Sequence, residues 1–332
     1  MLQYILRRVL ALIPTLIAIS IISFVIIKLP PGDFLTSYVA GLEAQGESVD
    51  AAELASLKQR YGLDEPGYIQ YIKWISGVLR GDFGQSFELN QPVSTLIGGR
   101  LALTFFISLL TLLFTWVVAL PVGIYSAVRR YSLGDYFFTF FGFLGLAIPN
   151  FLLALILMYV AFKYFNTSVT GLFSPEYVDA PWSWERILDL ANHLWVPIII
   201  IGTAGTAGLI RIMRANLLDE LHKPYVTTAR AKGLSETRLL LKYPVRIALN
   251  PFISTIGWSL PFLISGSAIV AIVLNLPTSG PLLLRSLLTQ DMFLAGSFIL
   301  ILAFMTILGT LISDILLAWL DPRIRYEKRG NS

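Results

Sequence analysis

The sequence predicts an all-α polytopic membrane protein with six transmembrane helices. Hydrophobic residues make up 55% of its 332 residues and charged ones only 14%, where a soluble domain carries about 25% charged residues. Several apolar runs exceed the ~18 residues that signal a membrane helix. Lys and Arg collect in alternate connecting segments, as the positive-inside rule requires of a multi-pass chain.

The first span is placed at 9–29. Arg7 and Arg8 precede an apolar run from Val9 to Ile27. That run is longer than a signal-peptide core, and the sequence continues KLPPGDF without a small-residue cleavage site, so a retained helix is expected. The remaining spans are placed at 101–128, 136–165, 193–213, 248–274 and 294–320. Most of the 25 Lys and Arg residues fall on one side if both termini are cytoplasmic. Arg129, Arg130, Arg211, Arg214, Lys223, Arg230, Lys232, Arg238, Lys242 and Arg246 are among them. The chain then divides into an N-terminal transmembrane helix (1–30), an extracytoplasmic loop with short amphipathic helices (31–100), a transmembrane core (101–320) with a cytoplasmic loop at 215–246, and a cytoplasmic tail (321–332). A multi-pass membrane location follows. The net charge of +4 reflects this sidedness, and no nucleic-acid partner is expected.

In the first outer loop, Leu54, Leu57 and Tyr61 share one helical face, with Gly62 as a stop. Tyr68, Ile72, Ile75 and Leu79 share another, closed by Gly81. Both faces need an apolar partner, the membrane surface or the outer mouth of the helix bundle, and a small cap that only packs is the alternative. In the second outer loop, 166–192, Glu176, Asp179, Glu185 and Asp189 are acidic, and Trp182 with Trp184 reads as an interface anchor. Pro121, Pro149, Pro197 and Pro261 lie inside spans and predict bends, which bundles around a cavity tolerate.

The segment YVTTARAKGLSETRLLLKYPV, 225–245, is charged and glycine-broken between two apolar runs. Pro224 suits a first helical position. Gly233 reaches a left-handed bend cheaply, and Ser235 can cap a second helix with Glu236 in its first turn. Helix, tight turn, helix is the expectation. Two roles are compatible with it: a hairpin held to anionic lipid by its basic residues, or a rigid docking element that passes force from a cytoplasmic partner into the flanking spans.

TARAKGLSETRLL resembles the coupling loop of ATP-binding-cassette importer permeases, in the peptide/nickel branch. Gly233 stands at the motif's glycine. Thr227, Thr228 and Ala229 stand where the Glu-Ala-Ala of other branches would be. YILRRVLALIPTL with PPGD, RYGLDEP, GDFGQSF, QPV and LDPRIRY are similar to that branch's first span, outer loop and C-terminus, so the resemblance covers the whole chain. It implies an N-terminal helix beside a five-helix importer-permease core. It also implies a second, similar permease subunit, two ATP-binding subunits that use ATP and Mg, an extracytoplasmic solute-binding protein, and a di- or oligopeptide solute. Oligosaccharide and nickel chelate are the alternatives that relatives offer. One region departs: LNLPTSGPLLL, 274–284, keeps turn chemistry at Pro277 and Gly280 with different spacing.

No phosphate-cradling G-x-x-x-x-G-K-[ST] occurs in the chain, so no cofactor is expected on it and ATP hydrolysis falls to other subunits. With no Cys and only His193 and His222, neither a metal site nor a catalytic site is expected. LISGSAIV has the wrong order for an intramembrane serine protease, and neither His is placed as a base. An ion-coupled secondary transporter usually carries intramembrane charges. Asp314 is the one deep acid read in the spans, close to Asp321. The candidate coupling residues are Tyr225, Thr228, Ala229, Arg230, Ala231, Lys232, Gly233 and Leu234. Ala229 and Ala231 are read as allowing close approach of a partner, and Arg230 and Lys232 as pairing with its acids. Asn150, Ser259, Ser265 and Ser267 are candidates for the translocation path, since polar residues avoid lipid. Each can equally serve helix packing.

Overall fold

Twelve α-helices and one short 3-10 helix (Pro175–Tyr177) are delimited among the described residues, which in this computed structural model are 2–29, 34–36, 39, 55–56, 58–59, 62–166, 168–178, 180–255 and 267–320. The α-helices are named in chain order. They are α1 (Leu2–Lys28), α2 (Gly67–Leu79), α3 (Val93–Val128), α4 (Leu133–Ala147), α5 (Asn150–Phe165), α6 (Trp184–Leu221), α7 (Pro224–Ala231), α8 (Glu236–Lys242), α9 (Pro244–Ala248), α10 (Ala268–Val273), α11 (Ser279–Leu288) and α12 (Met292–Leu320). No strand is found among these residues. The described part of the chain is therefore all-α, as lipid requires of a spanning chain that is not a closed barrel. Helices α3, α6 and α12 are each long and apolar enough to cross a membrane, and the bent pair α4–α5 brings the number to as many as four. Helix α1 is apolar from Ile13 to Lys28, a shorter stretch. Most of the expected fifth span, with Ser259, Pro261 and Ser265, lies outside the described residues, as do Leu54, Leu57, Tyr61, Asp179 and the tail 321–332.

The expected third span is not a straight helix. Helices α4 and α5 meet at 101°. The cause is Pro149, which has no N–H to continue the ladder and forces the preceding residue out of helical geometry. Ile148 is extended accordingly, at φ −86°, ψ 119°. Span four is much longer than its apolar run: α6 has 38 residues, about 57 Å at the usual rise. It starts at a cap the hydropathy pattern does not register, the Ser183 hydroxyl accepting from the Arg186 N–H at 3.2 Å.

Two compact units emerge, residues 1–104 with 278–307 and residues 105–277 with 308–332. In the first, α2 packs through Tyr71, Trp74, Ile75 and Val78 against Phe24, Ile27 and Ala295. Trp74 is buried and sits over Gly296, where a Cβ would stand 3.0 Å from the indole. This corrects the face expected from periodicity, of which only Ile75 packs here. Tyr68, Ile72 and Leu79 are exposed, because the aromatic pair one step round the helix offers more area to bury. Asp291 is buried just ahead of α12. It accepts from the Ser86 hydroxyl at 2.5 Å and the Leu294 N–H at 3.2 Å, and burial pushes its carboxyl above the usual range. Gly280 lies within α11 rather than in a turn; the left-handed residue of that region is Asn275, at φ 52°.

In the second unit, α3, α6 and α9 share a core of Ala119, Leu209, Met213, Leu217, Val245 and Phe252. Gly123 lets α3 and α6 approach closely, since a Cβ there would stand 2.6 Å from the Met213 Cβ. In the second outer loop Arg186 lies 4.7 Å from the Phe173 ring and 4.6 Å from that of Trp182. Asp189 accepts from Ser174 through both backbone N–H and hydroxyl, at 2.8 and 2.7 Å.

Replacing Gly123 by Val forces the contact open and should cost about 1–3 kcal/mol by overpacking. The expected readout is a thermal midpoint several degrees lower in detergent. Gly99→Ala, which meets nothing within 4 Å, should leave it unchanged.

Candidate functional site

The charged insert folds as helix, turn, helix. Helix α7 begins with Lys223 in extended cap geometry and Pro224 at its first position, where the missing N–H is no loss and φ is already set. It ends at Lys232, followed by Gly233 at φ +76°. The Gly233 N–H donates to the Arg230 carbonyl at 3.0 Å and the Lys232 N–H to that of Thr228 at 3.1 Å, so the terminal carbonyls of α7 are used in closing the turn. A Cβ on Gly233 would meet nothing within 4 Å. The demand for glycine is therefore purely conformational. Ser235 takes up the extended geometry expected of a cap, but its hydroxyl makes no capping bond.

Three side chains close the hairpin from inside. Val226 and Leu239 are fully buried and Ala229 is 7% exposed, with Tyr225, Leu234 and Tyr243 packed around them. Burying one Leu stabilises by about 1.5–3 kcal/mol, a large share for so small a core. Across the turn, Arg230 grips Glu236 with two hydrogen bonds, Nε to Oε1 at 2.6 Å and Nη2 to Oε2 at 3.1 Å. That bond draws the Glu236 carboxyl below its usual range and raises the guanidinium. Both partners are exposed, so the pair adds little stability and mainly sets geometry.

Both ends of the hairpin are tied to α6. The Tyr225 hydroxyl donates to Glu220 Oε2 at 2.5 Å. Burial, then this bond, raises the phenol well above its ordinary value. Beyond Tyr243, Pro244 opens α9, whose Val245 and Ala248 pack into the core with Met213 and Leu217. The loop is thus a rigid projection on the end of a long helix.

The expected coupling residues divide by facing. Thr228, Ala231, Lys232 and Gly233 are exposed, with the Thr228 hydroxyl bonded back to the Pro224 carbonyl at 3.0 Å. Tyr225 and Leu234 are half-buried on the inner side. Ala229 turns inward, into the hairpin's own small core, and does not lie on the exposed face. Arg230 likewise pairs within the hairpin, and Lys232 has no ion pair among the described residues. Of the path candidates, Asn150 opens α5 and is half-buried. Ser267 precedes α10 and is 8% exposed. Ser259 and Ser265 lie outside the described residues.

Sequence reading missed a partly buried ion pair. Arg214 on α6 donates to Asp135 on α4, Nε to Oδ1 at 2.9 Å and Nη2 to Oδ2 at 2.8 Å. Asp135 is 2% exposed. Its signal was Ser132-x-x-Asp135, a capping pattern in which the Ser132 hydroxyl accepts from the Asp135 N–H at 3.2 Å.

Gly233→Ala should weaken the hairpin by ~1 kcal/mol through backbone strain alone, and Gly233→Asn by less. Leu239→Ala should cost about 2–4 kcal/mol. Amide hydrogen exchange over 224–242 should be fastest in Leu239→Ala, slower in Gly233→Ala and slowest of the three in Gly233→Asn.

Comparison with known proteins gives this arrangement its context. The family described as binding-protein-dependent transport system inner membrane component matches residues 119–326. Its N-terminal counterpart matches residues 1–109. The oligopeptide transport system permease protein AppB of Bacillus subtilis is 38% identical over 330 residues, covering 98% of this chain and all of that protein. The glutathione transport system permease protein GsiC of Salmonella paratyphi A is 33% identical over 327 residues, 98% of this chain and all of that one. The oligopeptide transport system permease protein OppB of Haemophilus influenzae is 32% identical over the same length and shares. With two matched regions that together take in nearly the whole sequence, this chain belongs to the family of inner membrane components of binding-protein-dependent transport systems.

Proposed function

We propose that this chain is one of two permease subunits of an ATP-driven importer for di- or oligopeptides, and that the hairpin around Gly233 is where the ATPase subunits push. The observation that carries the coupling role is the hairpin's build: a stiff projection anchored at both ends to α6, one of the helices long enough to span a bilayer. A floppy loop transmits no displacement. The exposed face of Thr228, Ala231, Lys232 and Gly233 is the surface offered to a partner groove.

In this reading the chain crosses the inner membrane six times with both termini cytoplasmic. Two ATP-binding subunits supply hydrolysis with ATP and Mg, and a solute-binding protein delivers the cargo outside. Nucleotide-driven closure of the ATPases displaces the hairpin, moves α6 and the following span, and switches the cavity between inward and outward access. Asn150, Ser259, Ser265 and Ser267 are the polar groups proposed along the path. The peptide assignment is supported by its relatives, which include oligopeptide and glutathione permeases.

Transport by the reconstituted complex should require ATP and the cytoplasmic subunits. Uptake driven by a proton or sodium gradient alone would overturn the reading in favour of secondary transport. Gly233→Val should leave the chain inserted and assembled but abolish transport, because a β-branched residue resists φ +76°. Labelled tripeptide uptake should be competed by other peptides and not by oligosaccharide.

A further inference from the structure

We infer that Asp135 and Arg214 form a fixed strut that makes α4 and α6 one rigid body, so that a displacement of the hairpin is carried into the bent α4–α5 segment as well as into α6. Both are positioning residues for transport, acting through the helices they join. The inference rests on the coupling role proposed for the hairpin.

The carboxylate is enclosed by donors. Besides the two-pronged grip of Arg214, Asp135 Oδ2 accepts the Tyr131 N–H at 2.9 Å, and the Thr139 hydroxyl lies 3.4 Å from Oδ1. Tyr131 sits at φ +65°, an uncommon conformation for a residue with a side chain. Its N–H is held there by the carboxylate. A planar guanidinium and carboxylate matched in this way resist shear, and separating them would leave the buried Asp135 carboxylate without its charge partner, the guanidinium itself being partly exposed. The pair is thus built to stay closed.

A single contact would still let two helices pivot, but there is a second. Gly145 on α4 faces Thr203 on α6, so closely that a Cβ on the glycine would stand 2.8 Å from the Thr203 methyl. Going from the ion pair to this contact runs forward along α4 and backward along α6. The helices are therefore antiparallel, and the two contacts are about 15 Å apart. Two anchors at that spacing fix orientation as well as distance. The lower one lies about two turns from Leu221, where α6 ends and the connection to α7 begins. Force applied to the hairpin reaches Arg214 before it reaches the middle of the span.

The chain contains no Cys, so spin labels can be placed without background. Leu133, at the start of α4, is 89% exposed, and Ala215 on α6 is also exposed. Cysteines at these two sites should report a label separation that stays within about 1 Å between nucleotide-free and ATP-bound states of the reconstituted complex, less than the helix shifts typical of such transitions. Asp135→Asn and Arg214→Gln should broaden that distance, make it nucleotide-dependent, and lower solute moved per ATP about tenfold at equal assembly. Arg214→Lys, which keeps the charge, should retain more of it. A nucleotide-dependent separation in the parent overturns the strut, and this reading stands even where a variant fails to assemble. So does parental transport per ATP in an assembled Asp135→Asn. If Gly233→Val transports normally, it is the hairpin's coupling role that falls. If Gly233→Val is inactive while Asp135→Asn is normal, the strut alone falls.

Discussion

At Gly233 the backbone turns through φ +76°, and this left-handed step lets α7 and α8 fold back on one another. Without it Leu239 does not reach Val226 and Ala229, and the small apolar core between the helices is not made. With it, Arg230 is brought within hydrogen-bond range of Glu236. Each contact alone is modest, but they are mutually dependent: the turn sets the register, the register buries the core, and the core holds the turn. The hairpin is stiff for this reason, although its two helices have only eight and seven residues, far short of stability in isolation.

Stiffness at the tip matters only if the base is also fixed. The structure supplies three attachments to α6 or its core: Tyr225 on Glu220, α9 on Met213 and Leu217, and, further along, Arg214 on Asp135. Close helix approach completes the scheme. At Gly123 and Gly145 the absent side chains bring α3 and α4 against α6, in keeping with the general use of small residues where membrane helices pack. What emerges is a long helix gripped from several sides, with a hard projection at its end.

Much of this was legible in the sequence because local chemistry dictated it. Pro224 and Gly233 mark a helix start and a turn by their backbone limits alone, and the hairpin follows. The long apolar runs give α3, α6 and α12. What escaped was set by tertiary packing or by competing local signals. Pro149 announced a bend but not its size, since 101° depends on what the two halves pack against. The α2 face was assigned one step away from the one it buries, because Tyr71 and Trp74 outweigh a periodic aliphatic stripe once Gly296 makes room for the indole. Ala229 looked like a surface residue made small for a partner, and only the fold shows it turned inward. The Asp135–Arg214 pair joins residues 79 apart in sequence, and charge counting had assigned Arg214 to the cytoplasmic excess without a partner.

The central claim is that a rigid hairpin lies where a cytoplasmic ATPase can push it. Its most direct test uses the absence of native cysteine and the exposure of Lys232. A cysteine introduced at that position should stay unreactive toward a membrane-impermeant maleimide in intact cells and react once the cytoplasmic face is opened in inverted vesicles. Labelling in intact cells would put the hairpin on the outer face, beyond the reach of any ATPase, and contradict the account.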